Sequence, residues 1–355
     1  MHAAAAIYLC VFAPQSCEDN TLGLRGNHLV KIGVIIHQPL ARGLFSALDR
    51  ARLASIGEVA WAAADEPLTS EQAVALLHDA DVAIGSWKTP PPDERLLAMC
   101  PKLRLWVHAA GSVKALFGPY LRARPLVISS CAPAIAEQVA EFTLALIIVG
   151  LKRVFPNAAA NRAGPMPKPA NALTPGSATV GVIGASHVGR GLMRLLAPLG
   201  ARVLLFDPYV TDERARELGA TKMNDLVGLC ASSDLVTLHA PMLPATRHML
   251  SGPHFRAMRD DAVFINTARG GCVDEVALVA ELLKGRLFAF LDVTDPEPAA
   301  ADSPLRRLPN VVLTSHIAGM AEHRIGKQAV DDVEAFLSGR QPKLVVTEEM
   351  LERLA

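Results

Sequence analysis

The chain has 355 residues, of which 51% are hydrophobic and 20% are charged. This length and composition predict a globular protein of about two domains with a sizeable core. The 35 basic and 35 acidic side chains cancel, which excludes the strongly basic surface of proteins that bind nucleic acids or anionic membranes. We therefore expect small-molecule ligands, with no nucleic-acid or membrane partner.

Residues 1–28 precede the first convincing strand, and we expect them to form a disordered extension. The apolar stretch 3–13 within them follows no Lys or Arg and is too short to cross a bilayer. The six cysteines show no C-x-x-C pair and no histidine at metal-ligand spacing. They predict reduced thiols, a cytoplasmic location and no metal site.

The first part of the chain alternates short apolar runs with segments of helical spacing. We predict strands at residues 30–37, 59–62, 81–85, 103–108 and 126–130, and helices at 71–78 and 96–99. Strands that alternate with helices at this pitch are typical of a parallel α/β sheet.

The longest apolar segment follows, and residues 135–152 are predicted to form one helix. A helix that is hydrophobic nearly all round is buried, and one small domain of this chain offers too little surface to bury it. We expect the helix at an interdomain or dimer interface. The next residues, 157–177, are rich in proline and are predicted to form a loop.

Residues 179–207 carry the pattern of a strand, a tight turn, a helix and a second strand. Gly184-Ala185-Ser186-His187-Val188-Gly189 stands where dinucleotide-binding proteins carry G-x-G-x-x-G, with Ser186 at the second glycine. There the pyrophosphate lies on the helix N-terminus, and an acidic residue ending the second strand binds the ribose. Asp207 ends this second strand, so the segment predicts an NAD site. The alternative is an ordinary βαβ unit without a ligand.

Strands and helices alternate again after Asp207. We predict strands at residues 234–239, 262–266, 288–292 and 311–314, and helices at 212–218, 255–258 and 274–284. The region 131–317 thus holds about six strands, which suits a complete dinucleotide-binding domain.

Several motifs then occur in a fixed order along the chain. They are Val139-Ala140-Glu141 with Arg153, His239-Ala240-Pro241 with Thr246, Asn266-Thr267-Ala268-Arg269-Gly270, Asp292-Val293 with Glu297-Pro298, and Thr314-Ser315-His316-Ile317-Ala318-Gly319. In these motifs the chain resembles the D-isomer-specific 2-hydroxyacid dehydrogenases, from about residue 30 to the C-terminus. Ser315 replaces the proline that commonly precedes the histidine of this family.

The resemblance implies an α/β fold of two domains with the active site in the cleft between them. The Rossmann NAD-binding domain would be residues 131–317. The flavodoxin-like substrate-binding domain would be discontinuous, with a first part at 29–130 and a return at 318–355. The resemblance also implies NAD as the cofactor and a homodimer.

The resemblance further implies which loops line the cleft. The predicted cofactor-binding residues are Gly184, Ser186, His187, Val188, Gly189, Asp207, His239, Pro241, Thr246, Thr267, Ala268 and Asp292. Asp292 would lie near the nicotinamide, and its simpler interpretation is a turn cap. Ala110, Gly111 and Ser112 resemble the loop whose N–H groups hold the substrate carboxylate. Lys114 stands where the family has an acidic residue, a departure that concerns the packing of this loop.

Hydride transfer to a 2-keto acid needs a proton donor beside the carbonyl oxygen and a cation for the carboxylate. His316 is the candidate acid/base, because imidazole titrates near neutral pH. Glu297 would stabilise the imidazolium and orient the ring. Arg269 offers a planar, permanently charged fork that matches a carboxylate. Their structural alternatives are a satisfied histidine, a solvated turn and a loop ion pair.

We therefore predict an NAD-dependent enzyme that interconverts a 2-keto acid and a D-2-hydroxy acid. The alternative is an NAD(H)-sensing, corepressor-like binding protein on the same fold, against which the neutral charge argues. A formate dehydrogenase, the third possibility, usually pairs its histidine with glutamine rather than a glutamate such as Glu297.

The loop at residues 86–90 follows a predicted strand at the edge where ligands of α/β sheets bind. Lys88 is therefore a candidate to bind a second anionic group of the substrate, and Trp87 a candidate to cover an apolar tail. The alternative is that Lys88 is solvated and Trp87 packs on the domain surface.

Overall fold

The chain folds into two parallel sheets covered by helices, as the alternation of strands and helices predicts. The computed structural model describes residues 29–117, 125–165, 168–169, 171–320 and 322–351. The extension predicted to be disordered, residues 1–28, lies outside the described residues.

The first sheet is built by the N-terminal part of the described chain. Its elements are, in chain order, β1 (Lys31–Val34), α1 (Gln38–Leu44), α2 (Ala47–Ile56), β2 (Glu58–Trp61), α3 (Ser70–Leu77), β3 (Val82–Gly85), α4 (Glu94–Met99), β4 (Leu105–His108), α5 (Lys114–Phe117) and β5 (Val127–Ser130). The strands lie in the order β2-β1-β3-β4-β5, which is the flavodoxin-like order. β3 and β4 are buried along their whole length, because apolar runs suit strands that are covered on both faces.

The second sheet follows and has seven strands, one more than the six predicted. The elements from there to the C-terminus are α6 (Ala132–Leu151), α7 (Val154–Ala163), β6 (Thr179–Ile183), α8 (His187–Leu196), β7 (Arg202–Phe206), α9 (Asp212–Glu217), β8 (Ala220–Lys222), α10 (Leu226–Ser232), β9 (Leu235–Leu238), α11 (Gly252–Ala257), β10 (Ala262–Asn266), α12 (Glu275–Leu282), β11 (Leu287–Leu291), β12 (Val311–Leu313), α13 (Glu322–Leu337) and α14 (Glu348–Leu351). The order β12-β11-β10-β9-β6-β7-β8 reverses direction between β9 and β6. Open α/β sheets bind ligands at such a switch point, beyond the carboxyl ends of the strands.

The long apolar helix α6 packs against α8, β10 and α13. A side chain at Gly191 of α8 would place its Cβ 3.2 Å from the Cβ of Ala140, so small residues allow the two helices to approach closely. Within the described chain α6 is the one helix long and apolar enough to cross a membrane, and 56% of its most apolar window is buried. Packing against these neighbours therefore accounts for its composition.

Helix α13 returns the C-terminal part of the chain to the first sheet. Its apolar residues, among them Ile325 and Val333, join the core formed by β1, β3 and β4. A Cβ at Gly326 would lie 2.0 Å from the carbonyl oxygen of Leu44, so only glycine permits this contact with α1. An isolated antiparallel bridge between Ser129 and Val345 extends the attachment to β5.

The loop predicted at residues 157–177 is wrong in its first part, because α7 continues to Ala163. The alanine-rich sequence that follows Asn157 favours a helix, and Pro156 is tolerated because it lies in the first turn. α7 has no buried residue among its ten. It therefore lacks the periodic apolar stripe by which amphipathic helices are predicted.

Candidate active site

The turn between β6 and α8 depends on two glycines. Gly184 has a φ of 94°, and a Cβ there would lie 2.9 Å from the backbone nitrogen of Ala240. A Cβ at Gly189 would lie 2.1 Å from the carbonyl oxygen of Gly184. Both contacts are with backbone atoms, which cannot move aside. The glycines thus bring the N-terminus of α8 to the end of β6, as a pyrophosphate site requires.

Ser186 occupies the position of the second glycine and caps α8. Its hydroxyl accepts a hydrogen bond from the N–H of Gly189 at 3.4 Å, so the side chain is turned back toward the helix. His187 begins the helix. Burial lowers the pKa of His187, and the cations of Arg190 and Lys343 lower it further. The helix N-terminus therefore provides its backbone N–H groups and dipole rather than a charged imidazole.

Asp207 follows β7, and its carboxylate is held in place by two backbone N–H groups. Oδ2 accepts from Ala185 at 2.8 Å, and Oδ1 accepts from Tyr209 at 2.8 Å. Each oxygen keeps a further lone pair for a ribose hydroxyl. The glycine turn, the helix N-terminus and this carboxylate together fit NAD.

The His239-to-Thr246 segment follows β9 and is a closed turn. The hydroxyl of Thr246 donates to the carbonyl of Pro241 at 2.6 Å and accepts from the N–H of Leu243 at 2.8 Å. Burial lowers the pKa of His239 to about 3, so its ring is neutral. Its Nε2 is 3.0 Å from the hydroxyl of Thr237, whereas its buried Nδ1 has no partner in the described structure. Thr246 thus shapes the turn, while His239 keeps one ring nitrogen unpaired.

The loop after β10 carries Arg269 and is held by Asn266. The side-chain amide of Asn266 donates to the carbonyl of Arg269 at 3.0 Å and accepts from the N–H of Ala268 at 3.0 Å. Thr267 is fixed through its hydroxyl, 3.0 Å from that of Thr143 on α6. The guanidinium of Arg269 is exposed and has no ion pair in the described chain, which leaves it available to an anionic ligand.

Gly270 allows this loop to pack closely against the loop after β11. A Cβ at Gly270 would lie 2.0 Å from the carbonyl oxygen of Thr294. Because the contact is with backbone, only glycine allows the two loops to lie this close. The segment leading to Glu297 is thereby placed beside the one that carries Arg269.

His316 and Glu297 form the most direct contact of the predicted catalytic residues. Nδ1 of His316 lies 2.6 Å from Oε1 of Glu297. Both side chains remain accessible, with 47% and 40% of their surfaces exposed. His316 follows β12 and has a φ of 55°, an uncommon backbone conformation for a residue other than glycine. The bond to Glu297 fixes the ring and leaves Nε2 for a ligand.

Asp292 anchors the His316 loop. Its carboxylate accepts from the hydroxyl of Thr314 at 2.6 Å and from the N–H groups of Ile317 and Ala318, both at 2.9 Å. Its own carbonyl accepts from the N–H of His316 at 2.8 Å. The side chain is 2% exposed. Asp292 thus acts as a turn cap for the His316 loop, which is its simpler interpretation from the sequence. Its proximity to nicotinamide stays a prediction.

The predicted substrate loop, Ala110 to Ser112, follows β4 of the first sheet. A Cβ at Gly111 would lie 3.5 Å from Cδ1 of Ile135 on α6, and one at Gly319 would lie 2.9 Å from Cγ2 of the same side chain. Ile135 therefore separates this loop from the segment that follows His316. Lys88 is exposed with a φ of 61°, and the described structure shows no ion pair for it.

These loops meet because parallel strands end at one edge of their sheet. Gly184, Asp207, His239, Arg269 and His316 all follow the carboxyl ends of strands of the second sheet. Sequence reasoning missed the supporting residues Asn266, Thr143 and Gly270, of which the first and last lie within a quoted motif.

The fold and the site are those expected of a dinucleotide-binding protein with a histidine–carboxylate pair. A family model described as D-isomer specific 2-hydroxyacid dehydrogenase, NAD binding domain, matches residues 144–318. The glyoxylate/hydroxypyruvate reductase B of Escherichia fergusonii is 31% identical over 80% of this chain and 90% of its own. The chain belongs to the D-isomer-specific 2-hydroxyacid dehydrogenase family, which confirms the predicted family and NAD as the cofactor.

The chain is also similar to a second curated enzyme and to a protein of known structure. The D-3-phosphoglycerate dehydrogenase of Methanocaldococcus jannaschii is 27% identical over 89% of this chain, which spans 59% of that enzyme's length. The crystal structure of the TT0316 protein from Thermus thermophilus superposes with a TM-score of 0.68 at 28% identity, covering 90% of this chain and 100% of that one. The predicted two-sheet α/β fold is therefore confirmed.

Proposed function

We propose that this protein interconverts a 2-keto acid and a D-2-hydroxy acid, with His316 as the acid/base, Glu297 as its partner and Arg269 as the substrate-binding cation. The observation that carries the proposal is the 2.6 Å contact between Nδ1 of His316 and Oε1 of Glu297. Arg269, on a neighbouring loop, is exposed and donates to the carbonyl of Ala268, with no ion pair in the described chain. The test is consumption of NADH in the presence of 2-keto acids. The comparisons give no support to the corepressor alternative.

His316, Glu297 and Arg269 have separate roles in the proposed reaction. Glu297 accepts a hydrogen bond from Nδ1–H of His316, so Nε2 can donate a proton to the carbonyl oxygen during reduction and take it back during oxidation. Arg269 neutralises the carboxylate and polarises the carbonyl, because its fork matches both oxygens. NAD(H), when bound, supplies or accepts the hydride. Glu297 thus stabilises the positive charge of the protonated His316 ring, and Arg269 stabilises the negative charge of the substrate.

The cofactor site would discriminate between NAD(H) and NADP(H) through Asp207. Its carboxylate binds ribose hydroxyls but repels a 2′-phosphate, and the residues that follow it, Pro208 and Tyr209, supply no cation. We expect kcat/KM to be higher with NADH than with NADPH. Asp207→Ala should reduce that ratio by about tenfold or more, since one lost charge contact is worth about 1.4 kcal/mol. A wild-type preference for NADPH would contradict the assignment.

We also propose that the two sheets are separate domains, with 29–130 and 318–355 binding substrate and 131–317 binding NAD. The supporting observation is that α13 packs into the core of the first sheet.

The four described cysteines are free and buried, which favours a reducing compartment such as the cytoplasm. They are Cys100, Cys131, Cys230 and Cys272.

A homodimer is proposed from the surface of α6 and α7. No residue of α7 is buried, and Val154, Phe155 and Ile148 are exposed by 44%, 43% and 38%. Apolar side chains clustered on one surface are typical of a protein interface. Sedimentation velocity should give twice the chain mass of 37.8 kDa. A single species at the chain's own mass contradicts the dimer.

Lys88 is proposed to select substrates that carry a second anionic group. It is an exposed cation in a tight turn at the carboxyl end of β3, beside the strand that leads to the substrate loop. Lys88→Ala should lower kcat/KM for 2-oxoglutarate and phosphohydroxypyruvate by about tenfold, and leave hydroxypyruvate and phenylpyruvate nearly unchanged. Lys327→Ala, an exposed lysine on α13, is the control. Equal effects on all four substrates would show that Lys88 does not contact the substrate.

A further inference from the structure

Two buried serines hold the backbone of the loop that follows β4. The hydroxyl of Ser86 donates to the carbonyl of Ala109 at 2.7 Å, and the hydroxyl of Ser130 donates to the carbonyl of Ala110 at 3.2 Å. Ser86 and Ser130 are 0% and 1% exposed. They come from the ends of β3 and β5, the two strands that flank β4. The loop is therefore gripped from both sides.

These bonds determine the direction of the next N–H groups. In a trans peptide the C=O of one residue and the N–H of the next point in opposite directions. Holding the carbonyls of Ala109 and Ala110 against the serines thus turns the N–H groups of Ala110 and Gly111 away from them. Neither N–H has a hydrogen-bond acceptor in the described chain.

The unpaired N–H of Ala110 is costly, because this residue is 0% exposed. Buried backbone donors in folded proteins are nearly always paired, with protein, water or a ligand. Gly111 is partly exposed and packs against Ile135, whose other side meets the segment after His316. Ala110 is closed to solvent, so of the two donors only the N–H of Gly111 is open to a ligand, in the part of the molecule where the 2-keto acid is expected.

A third buried residue steadies the far end of the loop. His108 is 2% exposed, stacks edge-on against Phe117 at 5.2 Å, and forms a hydrogen bond with the backbone of Ser112. Burial lowers the pKa of His108 to about 4. Its neutral ring thus adds no charge to the loop, which leaves recognition of an anion to the backbone donors.

We propose that Ser86 and Ser130 are positioning residues that hold this loop so that the N–H of Gly111 faces the carboxylate of the substrate. The inference rests on the proposed 2-keto acid chemistry. Ser86 takes no part in the reaction itself, since its hydroxyl is committed to Ala109 and its N–H donates to Thr89 at 2.8 Å. Ser130 is committed in the same way, because its oxygen also accepts from the N–H of Ala132 at 3.2 Å.

The experiment compares Ser86→Ala and Ser130→Ala with wild type in steady-state reduction of a 2-keto acid by NADH. Each variant should raise KM by about tenfold, because the released peptide no longer holds its donor toward the carboxylate. kcat should stay within about twofold, and the Kd for NADH should not change. The inhibition constant of oxamate, a 2-keto acid analogue with the same carboxylate, should rise in parallel with KM.

Two matched variants separate positioning from general stability. Ser233→Ala removes another fully buried serine hydroxyl that donates to a carbonyl, that of Leu229 at 2.7 Å, at the end of α10 beside the second sheet. It should leave KM and oxamate inhibition unchanged. Ser130→Thr keeps the hydroxyl and should restore a KM close to wild type.

The outcomes distinguish this inference from the proposed function. Wild-type turnover, with unchanged KM and oxamate inhibition in both alanine variants, overturns the positioning role even if Tm falls. Absence of turnover in the wild type is a failure of the proposed function instead. In that case calorimetric binding of oxamate to the NADH complex still tests the donors, and equal affinity in wild type and Ser86→Ala overturns the inference. If an alanine variant does not fold, Ser130→Cys, which is slightly larger than serine and keeps only a weak S–H donor, must show the raised KM.

Discussion

His316→Ala should lower kcat/KM for 2-keto acid reduction by about 10²- to 10⁴-fold, the usual contribution of a general acid. The expected loss is large because the substrate oxygen then has to take its proton from water. The fold and the Kd for NADH should be preserved, since the His316 side chain is 47% exposed and its one hydrogen bond among the described residues is to Glu297. Steady-state kinetics and NADH fluorescence titration measure the two quantities.

Glu297→Gln is the matched variant for this prediction. It keeps the shape of the side chain and a hydrogen bond to Nδ1 but removes the negative charge that stabilises the imidazolium. The pH at which reduction declines should therefore move downward, with a smaller loss at low pH than at high pH. Near wild-type turnover in His316→Ala would show that the proton donor is another group.

Arg269→Ala is expected to lower kcat/KM by about 10²- to 10³-fold, comparable to the loss of a preorganised charge-stabilising donor. The guanidinium is exposed, has no acidic partner in the described chain, and stands on a loop fixed by Asn266 and Gly270. Its removal should therefore cost binding of the substrate rather than stability. KM for the keto acid should rise and kcat should fall, while Tm and the Kd for NADH stay the same.

Arg269→Lys is the control, because it keeps the charge but not the planar fork. An intermediate loss is expected if the carboxylate and carbonyl are bound together by two nitrogens. Equal activity of Arg269→Ala and wild type would show that Arg269 does not contact the substrate.

The sequence predicts most of the fold wherever apolar spacing is regular. β10 is found at the residues predicted, and the turn at Gly184 stands between β6 and α8 as the glycine pattern requires. The prediction fails at α7 because that helix buries nothing and leaves no periodic signal. β8 was missed for a related reason, since three residues at the edge of a sheet are too few to show a period.

The candidate site divides in the same way. His316, Glu297 and Arg269 can be predicted because each lies in a motif that follows a predicted strand. The hydrogen bonds that hold their loops cannot be predicted in this way, because they join residues far apart in the chain. Asp292 meets Thr314 only after β12 has paired with β11, and Ser86 meets Ala109 only after β3 has paired with β4. Such contacts depend on tertiary packing, which local spacing does not encode.

The activity proposed for this chain is the reduction of 2-keto acids with NADH to D-2-hydroxy acids. The most direct measurement incubates the purified protein with NADH and glyoxylate, hydroxypyruvate, phenylpyruvate, 2-oxoglutarate or phosphohydroxypyruvate, and follows both NADH loss and the configuration of the product. We expect at least one acid to consume NADH in equal amount to the hydroxy acid formed, and the chiral products to be D. NADH binding without turnover of any of these acids, as in an NAD(H)-sensing protein, or formation of the L-isomer would contradict the account.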